Sequence, residues 1–89
     1  MKIVWRPQAR AELLSIAAYI ARESPSGAAR VQSQILHSVE LLETWPRIGR
    51  KGRRGYRELV VPHTNYVVIF RLTRANIEIV RMLHTSQRR

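Results

Sequence analysis

The sequence predicts an α+β domain in which two helices cover one face of a sheet that contains an antiparallel three-strand meander. Residues 7–44 repeat apolar side chains every three or four positions, and residues 56–83 hold three runs rich in Val, Ile, Tyr and Phe. The first spacing is that of one face of a helix, and the second composition is typical of strands. The change of period at Pro46 therefore divides the chain into a helical part and a strand part.

The first predicted elements are a short strand at residues 2–5 and a helix at residues 7–23. Pro7 suits the first turn of a helix, because the N–H group that proline lacks would have no helical partner there. An apolar stripe follows Pro7 and predicts one buried helix face. The stripe consists of Ala9, Leu13, Ile16, Ala17 and Ile20.

A second helix is predicted at residues 26–44, with Ser26 as its N-cap. Its apolar stripe ends before Trp45-Pro46 and consists of Val31, Ile35, Val39 and Leu42. Only the short segment Ser24-Pro25-Ser26-Gly27 separates the two helices. Helices joined by so few residues pack as an antiparallel hairpin.

Three strands are predicted after the hairpin, at residues 56–61, 66–72 and 77–83. Two turn-like tetrapeptides, at 62–65 and 73–76, join them into an antiparallel meander. With the strand at residues 2–5, the order is β-α-α-β-β-β and the sheet has about four strands. The 89 residues form a single domain, 1–89, because a chain of this length supports one core.

Charge is unevenly distributed along the chain. Sixteen Lys or Arg residues against six Glu residues give a net charge of +10. Residues 7–44 hold three Arg and four Glu, a net of −1, whereas residues 45–89 hold eleven basic residues and two Glu, a net of +9. An acidic partner, either nucleic acid or an acidic protein, is expected at the C-terminal half. An enzyme for small neutral substrates fits this charge less well.

The residue content argues against several classes of site. The chain has no Cys, which excludes disulfides, Cys-ligated metals and a thiol nucleophile. The His and Glu residues do not show the spacing typical of metal ligands, so neither a metal nor a cofactor is expected. No apolar run approaches the roughly 18 residues of a membrane span, and no signal-peptide core follows the first Met. A soluble, cytoplasmic protein is therefore expected.

The most basic segment is residues 47–57, which we call the basic loop. It holds six basic residues in eleven and three of the four Gly residues. Guanidinium and backbone groups of such a loop can contact phosphates, although a solvated turn between a helix and a strand has the same composition. A target-binding surface is predicted from this loop and other C-terminal cations. Its residues are Arg50, Lys51, Arg53, Arg54, Arg81, Arg88 and Arg89.

His84 is the candidate for acid–base chemistry. It ends the last predicted strand, three residues after Arg81. A neutral His among arginines can act as general acid or base on RNA, while Arg stabilises a pentavalent phosphate. A structural His that binds a neighbour at a strand end explains the position as well. Glu58, the one carboxylate of residues 56–61, is expected to pair with an arginine.

Short motifs occur in a characteristic order along nearly the whole chain. They are Trp5-Arg6-Pro7, Trp45-Pro46-Arg47-Ile48-Gly49, Gly55-Tyr56-Arg57-Glu58-Leu59-Val60-Val61, Tyr66-Val67-Val68-Ile69-Phe70-Arg71 and Ile79-Val80-Arg81-Met82-Leu83-His84. Together they resemble the RelE/ParE superfamily of toxins from bacterial type II toxin–antitoxin modules. The resemblance implies a small antiparallel sheet with an N-terminal helical hairpin. It also implies that a cognate antitoxin neutralises the toxin by wrapping it with an acidic segment.

Three possibilities remain open under this resemblance. ParE-like members poison DNA gyrase, RelE-like members cut mRNA on the ribosome, and a decayed member of such a module is not toxic. The RelE-like branch places basic residues on the exposed sheet face, and Arg57 matches one of them. Leu59, Val67 and Thr85 fall at other such positions, and the apolar patch of Leu59 and Val67 cannot bind phosphate. The motif Trp-Pro-Arg-Ile-Gly resembles ParE-like members more closely than RelE-like members. A gyrase inhibitor without catalytic residues is therefore the favoured function.

The alternative is a metal-independent endoribonuclease, because some nuclease branches use a His near position 84 as general acid. Under that alternative the catalytic residues are His84, Arg81, Arg57 and Glu58.

An antitoxin-binding groove is predicted between the helical hairpin and the sheet. The sheet has more apolar positions than two helices need to cover, and a monomer would expose the remainder. The sheet residues expected to line the groove are Leu59, Val61, Val67 and Ile69.

Overall fold

The computed structural model describes residues 1–87 and contains two helices, five strands and two short 3-10 turns. The elements are β1 (Lys2–Trp5), α1 (Pro7–Ala21), α2 (Pro25–Thr44), β2 (Arg50–Lys51), β3 (Arg57–Val60), β4 (Tyr66–Leu72) and β5 (Asn76–His84), with the turns at Arg53–Gly55 and Thr85–Gln87. The predicted α+β class is confirmed, with its N-terminal strand, helical hairpin and final meander. In the described part of the chain, neither helix combines the length and hydropathy needed to cross a bilayer.

The five strands form one mixed sheet in the order β1-β5-β4-β3-β2. The prediction of about four strands missed β2, which lies in the basic loop and pairs antiparallel with β3. β1 pairs in parallel with β5, while the other neighbouring strands run antiparallel. A parallel pair needs a long connection between its strands, and the helical hairpin is part of that connection.

The turn between the helices differs from the prediction. α1 ends at Ala21 rather than at residue 23, and Ser24, not Ser26, is the N-cap of α2. The Ser24 hydroxyl accepts a hydrogen bond from Gly27 N at 2.9 Å. A Cβ at Gly27 would lie 2.8 Å from that hydroxyl oxygen, so a larger residue there would displace the capping side chain. Pro25 takes the first helical position, where a missing N–H has no cost.

The hydrophobic core lies between the helical hairpin and one face of the sheet, which we call the helix face. Its fully buried members include Ile35, Leu42, Val61, Val68, Phe70, Ile77 and Ile79. Among residues 1–87, both α-helices lie on this side. We call the opposite face of the sheet the open face. Glu58, Ile69 and Arg81 are direct cross-strand neighbours and therefore share one face. That face is the open one, because Ile69 alternates along β4 with the core residues Val68 and Phe70.

A β-bulge at Val80 interrupts the alternation of β5. Phe70 pairs with Ile79, whereas the preceding Ile69 pairs with Arg81, so Val80 is the extra residue. Ile79 and Met82 are consequently both buried although they are three residues apart. Strict alternation would instead have placed Arg81 on the same face as Ile79.

Candidate functional site

The start of the basic loop is anchored by Arg57. Its Nη2 donates hydrogen bonds to the carbonyl oxygens of Gly49 at 2.9 Å and Arg47 at 3.2 Å. Arg57 pairs with Phe70, which places it toward the helix face. A Cβ at Gly49 would lie 2.7 Å from the Phe70 ring and 2.8 Å from the carbonyl oxygen of Glu58. The motif that ends in Gly49 therefore packs the loop against the core, and Arg57 holds it there.

The predicted target-binding cations of the loop lie on a hairpin rather than on an irregular loop. Arg50, Lys51, Arg53 and Arg54 are all exposed. Arg50 Nη2 lies 3.1 Å from Glu58 Oε1, so the expected pairing of Glu58 with an arginine is present. Arg54 has a φ of 56°, in the left-handed region that non-glycine residues seldom adopt. The hairpin therefore presents four cations within five residues on a defined backbone.

Arg81, predicted to bind a target, is held by Glu12 of α1. Glu12 Oε2 accepts a hydrogen bond from Arg81 Nε at 2.9 Å and lies 2.8 Å from Nη2, while Glu12 Oε1 accepts from Met82 N at 2.9 Å. The pairing of β1 with β5 ends at Ile79, so Met82 lies beyond it. The Glu12 carboxylate therefore accepts the Met82 N–H that has no acceptor on β1. The sequence analysis did not predict this role of Glu12. The Arg81 side chain is still 37% exposed.

His84 is held by the turn that follows β5. Its backbone N donates to Gln87 Oε1 at 2.8 Å, and its ring Nδ1 accepts from Ser86 N at 3.1 Å, with Ser86 Oγ at 2.9 Å. The ring meets Tyr66 edge-on, with centroids 5.5 Å apart. An Nδ1 that accepts from a backbone N–H places the proton of the neutral ring on Nε2.

Two cavities adjoin Tyr56. The first, of about 280 Å³, is lined by Gly52, Arg53, Tyr56, Glu58, Ile69, Arg81, Leu83 and Gln87. It brings together Glu58 and Arg81 of the alternative catalytic set. Within residues 1–87, the other two members lie elsewhere, since Arg57 and His84 are paired with helix-face residues.

The second cavity, of about 310 Å³, is lined by Arg6, Pro7, Gln8, Tyr56, Arg71 and Val80, and none of these was a predicted site residue. Arg71 Nη2 lies 2.6 Å from Glu78 Oε1, and the Arg71 guanidinium lies 5.8 Å from the centre of the Tyr56 ring. The hydrogen bond and the charge of Glu78 raise the pKa of Arg71 above its ordinary value. This arginine is therefore a permanent cation.

The predicted antitoxin groove does not exist as one surface. Leu59 pairs with Val68 and therefore faces the helices, as does the fully buried Val61. Val67 and Ile69 lie on the opposite face, because residues on β4 alternate. Val61 and Val67 are also fully buried, so neither can contact a partner without opening the protein. The groove prediction was wrong in this respect because it did not fix the register of β3 against β4.

One group of exposed apolar side chains lies at the start of the basic loop and on the neighbouring strand β3. Trp45 is 60% exposed, Ile48 46% and Val60 47%. Trp45 and Ile48 line one cavity with Pro46, and Ile48 and Val60 line the next one with Leu59. We call this continuous strip, formed by Trp45, Pro46, Ile48 and Val60, the Trp45 surface.

Two predicted target-binding residues, Arg88 and Arg89, lie outside the described residues. Within residues 1–87, no group of three or more His, Asp or Glu side chains is placed to hold a metal ion.

Comparison with known proteins identifies the family. The family described as the ParE toxin of type II toxin–antitoxin systems, parDE, matches residues 3–89. The chain belongs to the ParE toxin family. This protein is thus a type II toxin of the RelE/ParE superfamily, as the motifs indicated.

Relatives of this toxin carry names from both branches. It is 37% identical to Y4kP of Sinorhizobium fredii, named as a candidate toxin, over 97% of this chain and 90% of that protein. It is 31% identical to Toxin RelE2 of Caulobacter vibrioides, over 97% of each chain. A solved structure, the chromosomal ParDE system from P. aeruginosa, superposes with a TM-score of 0.83 at 25% identity, over 94% of this chain and 95% of that chain.

Proposed function

We propose that this toxin inhibits DNA gyrase and that a cognate acidic antitoxin neutralises it. The observation that favours gyrase over mRNA is the placement of the four residues predicted to be catalytic in a nuclease. Phosphoryl transfer needs cations and a general acid that converge on one phosphate. Here Glu58 pairs with Arg50, Arg81 pairs with Glu12, Arg57 holds loop carbonyls and His84 binds its own turn.

The target-binding surface in this proposal is the basic loop. Arg50, Lys51, Arg53 and Arg54 are exposed on a defined hairpin, and the rest of the C-terminal half adds further positive charge. Gyrase acts with bound DNA, which offers negative charge to such a surface. Opposite charge speeds association and orients the partners before close contact forms.

The antitoxin is expected to cover the Trp45 surface. Trp is a frequent anchor of protein interfaces, and a contiguous exposed apolar patch is a typical docking site. The exposed cations Arg47 and Arg50 border the strip. A segment with both apolar and acidic side chains matches this pattern, and the solved P. aeruginosa relative belongs to a ParDE system.

A ribosome-dependent endoribonuclease is the second candidate function. The observation that favours it is the open-face cavity in which Glu58 and Arg81 lie together, a carboxylate and a cation able to act on one phosphate. The likeness to a protein named Toxin RelE2 points the same way.

A direct comparison of purified activities separates the two functions. The toxin is released from its antitoxin and added to gyrase with supercoiled and relaxed plasmid, and in parallel to a translating extract with labelled mRNA. Under the gyrase proposal, supercoiling stops at toxin concentrations that leave the mRNA intact. Cleavage of the mRNA with unaffected gyrase would support the nuclease instead. The antitoxin complex serves as the inactive control in both assays.

A further inference from the structure

The cavity lined by Arg6, Pro7, Gln8, Tyr56, Arg71 and Val80, which we call the Arg71 cavity, contains mostly hydrogen-bond donors. Two guanidinium groups, a phenol and a side-chain amide line it, and no carboxylate is among these lining residues. Its volume of about 310 Å³ is at the lower end of the range for small-molecule sites. None of its residues belongs to the nuclease set or to the basic loop's exposed cations.

The N-terminus of α1 adjoins this cavity, since Arg6, Pro7 and Gln8 are among its lining residues. α1 has 15 residues and begins at Pro7, and in the described part of the chain its N-cap residue Arg6 makes no side-chain capping bond. The first turn contains no acidic residue. The first N–H groups of a helix lack helical acceptors and carry partial positive charge, so an anion is stabilised there. Proteins usually place an Asp, Ser or Thr at this point, whereas this chain places an arginine.

The arginines of the cavity are held in position. Glu78 Oε1 lies 2.6 Å from Arg71 Nη2 and 3.7 Å from Arg6 Nη1, so one carboxylate restrains both side chains. Glu78 neutralises only one of the two charges. The Arg71 side chain is 41% exposed, but its Nε atom is shielded from solvent and has no hydrogen-bond partner within residues 1–87. Buried donors are nearly always paired, so an unpaired one beside a cavity points to a missing acceptor.

We propose that the Arg71 cavity binds a phosphate group. Arg6, Gln8, Tyr56 and Arg71 all carry donors and line the cavity, and guanidinium groups bind phosphate through charge-assisted hydrogen bonds. A phosphate offers more acceptor oxygens to such a set of donors than a carboxylate does. A free nucleotide and a nucleic-acid backbone are the two sources of such a group. The proposal is independent of the gyrase target, because it rests on this cavity alone.

The test is a titration of the ¹⁵N-labelled toxin with inorganic phosphate at constant ionic strength, followed by NMR. We expect saturable shifts of the Gln8 and Ala9 amides and of the Arg71 Nε–H signal. Arg71→Gln should weaken binding by at least about tenfold, since it removes a charged donor. Arg74→Gln removes the same charge from an exposed turn residue and should leave binding unchanged. Tyr56→Phe, which keeps the ring, should weaken binding to a smaller extent.

Two further titrations identify the source of the phosphate. Tighter binding of a nucleoside monophosphate than of inorganic phosphate assigns the site to a nucleotide, and tighter binding of a short oligonucleotide assigns it to nucleic acid. Shifts that do not saturate, that spread over the basic loop, or that Arg74→Gln reduces as much as Arg71→Gln would overturn the proposal. Equal affinity for acetate would overturn it as well, because the site would then recognise carboxylates.

Discussion

Glu12 and Arg81 are 69 residues apart in the chain, yet their side chains are joined by a hydrogen bond of 2.9 Å between Oε2 and Nε. The same carboxylate accepts from the backbone N–H of Met82, at a point of β5 beyond the end of its pairing with β1. The pair therefore attaches the first helix to the last strand. Much of the role of Arg81 is structural, although more than a third of its side chain stays accessible.

Replacing Glu12 tests this attachment. Glu12→Gln should lower the free energy of unfolding by about 1–3 kcal/mol, because it removes the charge from a part-buried bond to Arg81 and disturbs the bond to Met82. Urea denaturation measures the effect. Glu40→Gln, the same change at an exposed position of α2, should stay within about 0.5 kcal/mol of the parent. Equal unfolding midpoints for the two variants would contradict the structural role of Glu12.

Gly49 provides a second stability test. Gly49→Ala places a methyl group 2.7 Å from the Phe70 ring and 2.8 Å from the carbonyl oxygen of Glu58, so the core or the loop must shift. We expect a loss of about 1–3 kcal/mol, as is usual for overpacking. Gly52→Ala is the matched control, since its nearest neighbour would lie 3.4 Å away, at ordinary contact distance. Thermal denaturation of both variants should separate them clearly, and a Gly49→Ala protein as stable as Gly52→Ala would count against this packing.

The sequence predicted those features that depend on local periodicity. The two apolar stripes predicted the helices, and the composition of residues 56–83 predicted the meander. β2 was missed because Arg50 and Lys51 have no strand-like pattern of their own and become a strand only by pairing with β3. The N-cap was misplaced by two residues, because Ser24 and Ser26 are equally suitable in isolation.

The site depended on register and on distant contacts, which periodicity does not provide. The antitoxin groove failed because Leu59 lies opposite Val68 and not opposite Val67 or Ile69, so a shift of one residue moved half of its lining to the other face. The Arg71 and Glu78 ion pair could have been predicted from the sequence, since the turn at residues 73–76 makes these two residues cross-strand neighbours. The Glu12 and Arg81 pair was not, because nothing local relates α1 to the end of β5.

The basic loop should carry target recognition. Reversing Arg53 and Arg54 to Glu should weaken growth arrest, because it changes the local charge by four units at exposed positions. Stability should change by only a few tenths of a kcal/mol for each substitution. Arg10→Glu with Arg30→Glu makes the same change of charge on exposed helix positions and should leave growth arrest intact. Growth curves after induction, at matched protein levels, measure both pairs, and equal arrest by both would place target recognition elsewhere.

The Trp45 surface should carry antitoxin binding. Trp45→Ala should weaken the complex by about 2 kcal/mol or more, as is usual for a buried aromatic anchor, because its side chain is 60% exposed in the free toxin. Leu14→Ala is the control, since Leu14 of α1 is equally exposed. Isothermal titration calorimetry with the cognate antitoxin gives both affinities. A loss of affinity in Leu14→Ala alone would indicate that the antitoxin binds the helical hairpin instead.

The central claim, that this toxin acts on gyrase and not on mRNA, is tested most directly by the first minutes after its induction in cells. We expect a DNA-damage response and filamentation while mRNA stays intact, and a folded His84→Ala variant should arrest growth as the parent does. Rapid, translation-dependent loss of mRNA with intact chromosomes would contradict the claim. The contradiction would be complete if His84→Ala abolished that loss, since a general acid contributes about 10²- to 10⁴-fold to such a rate.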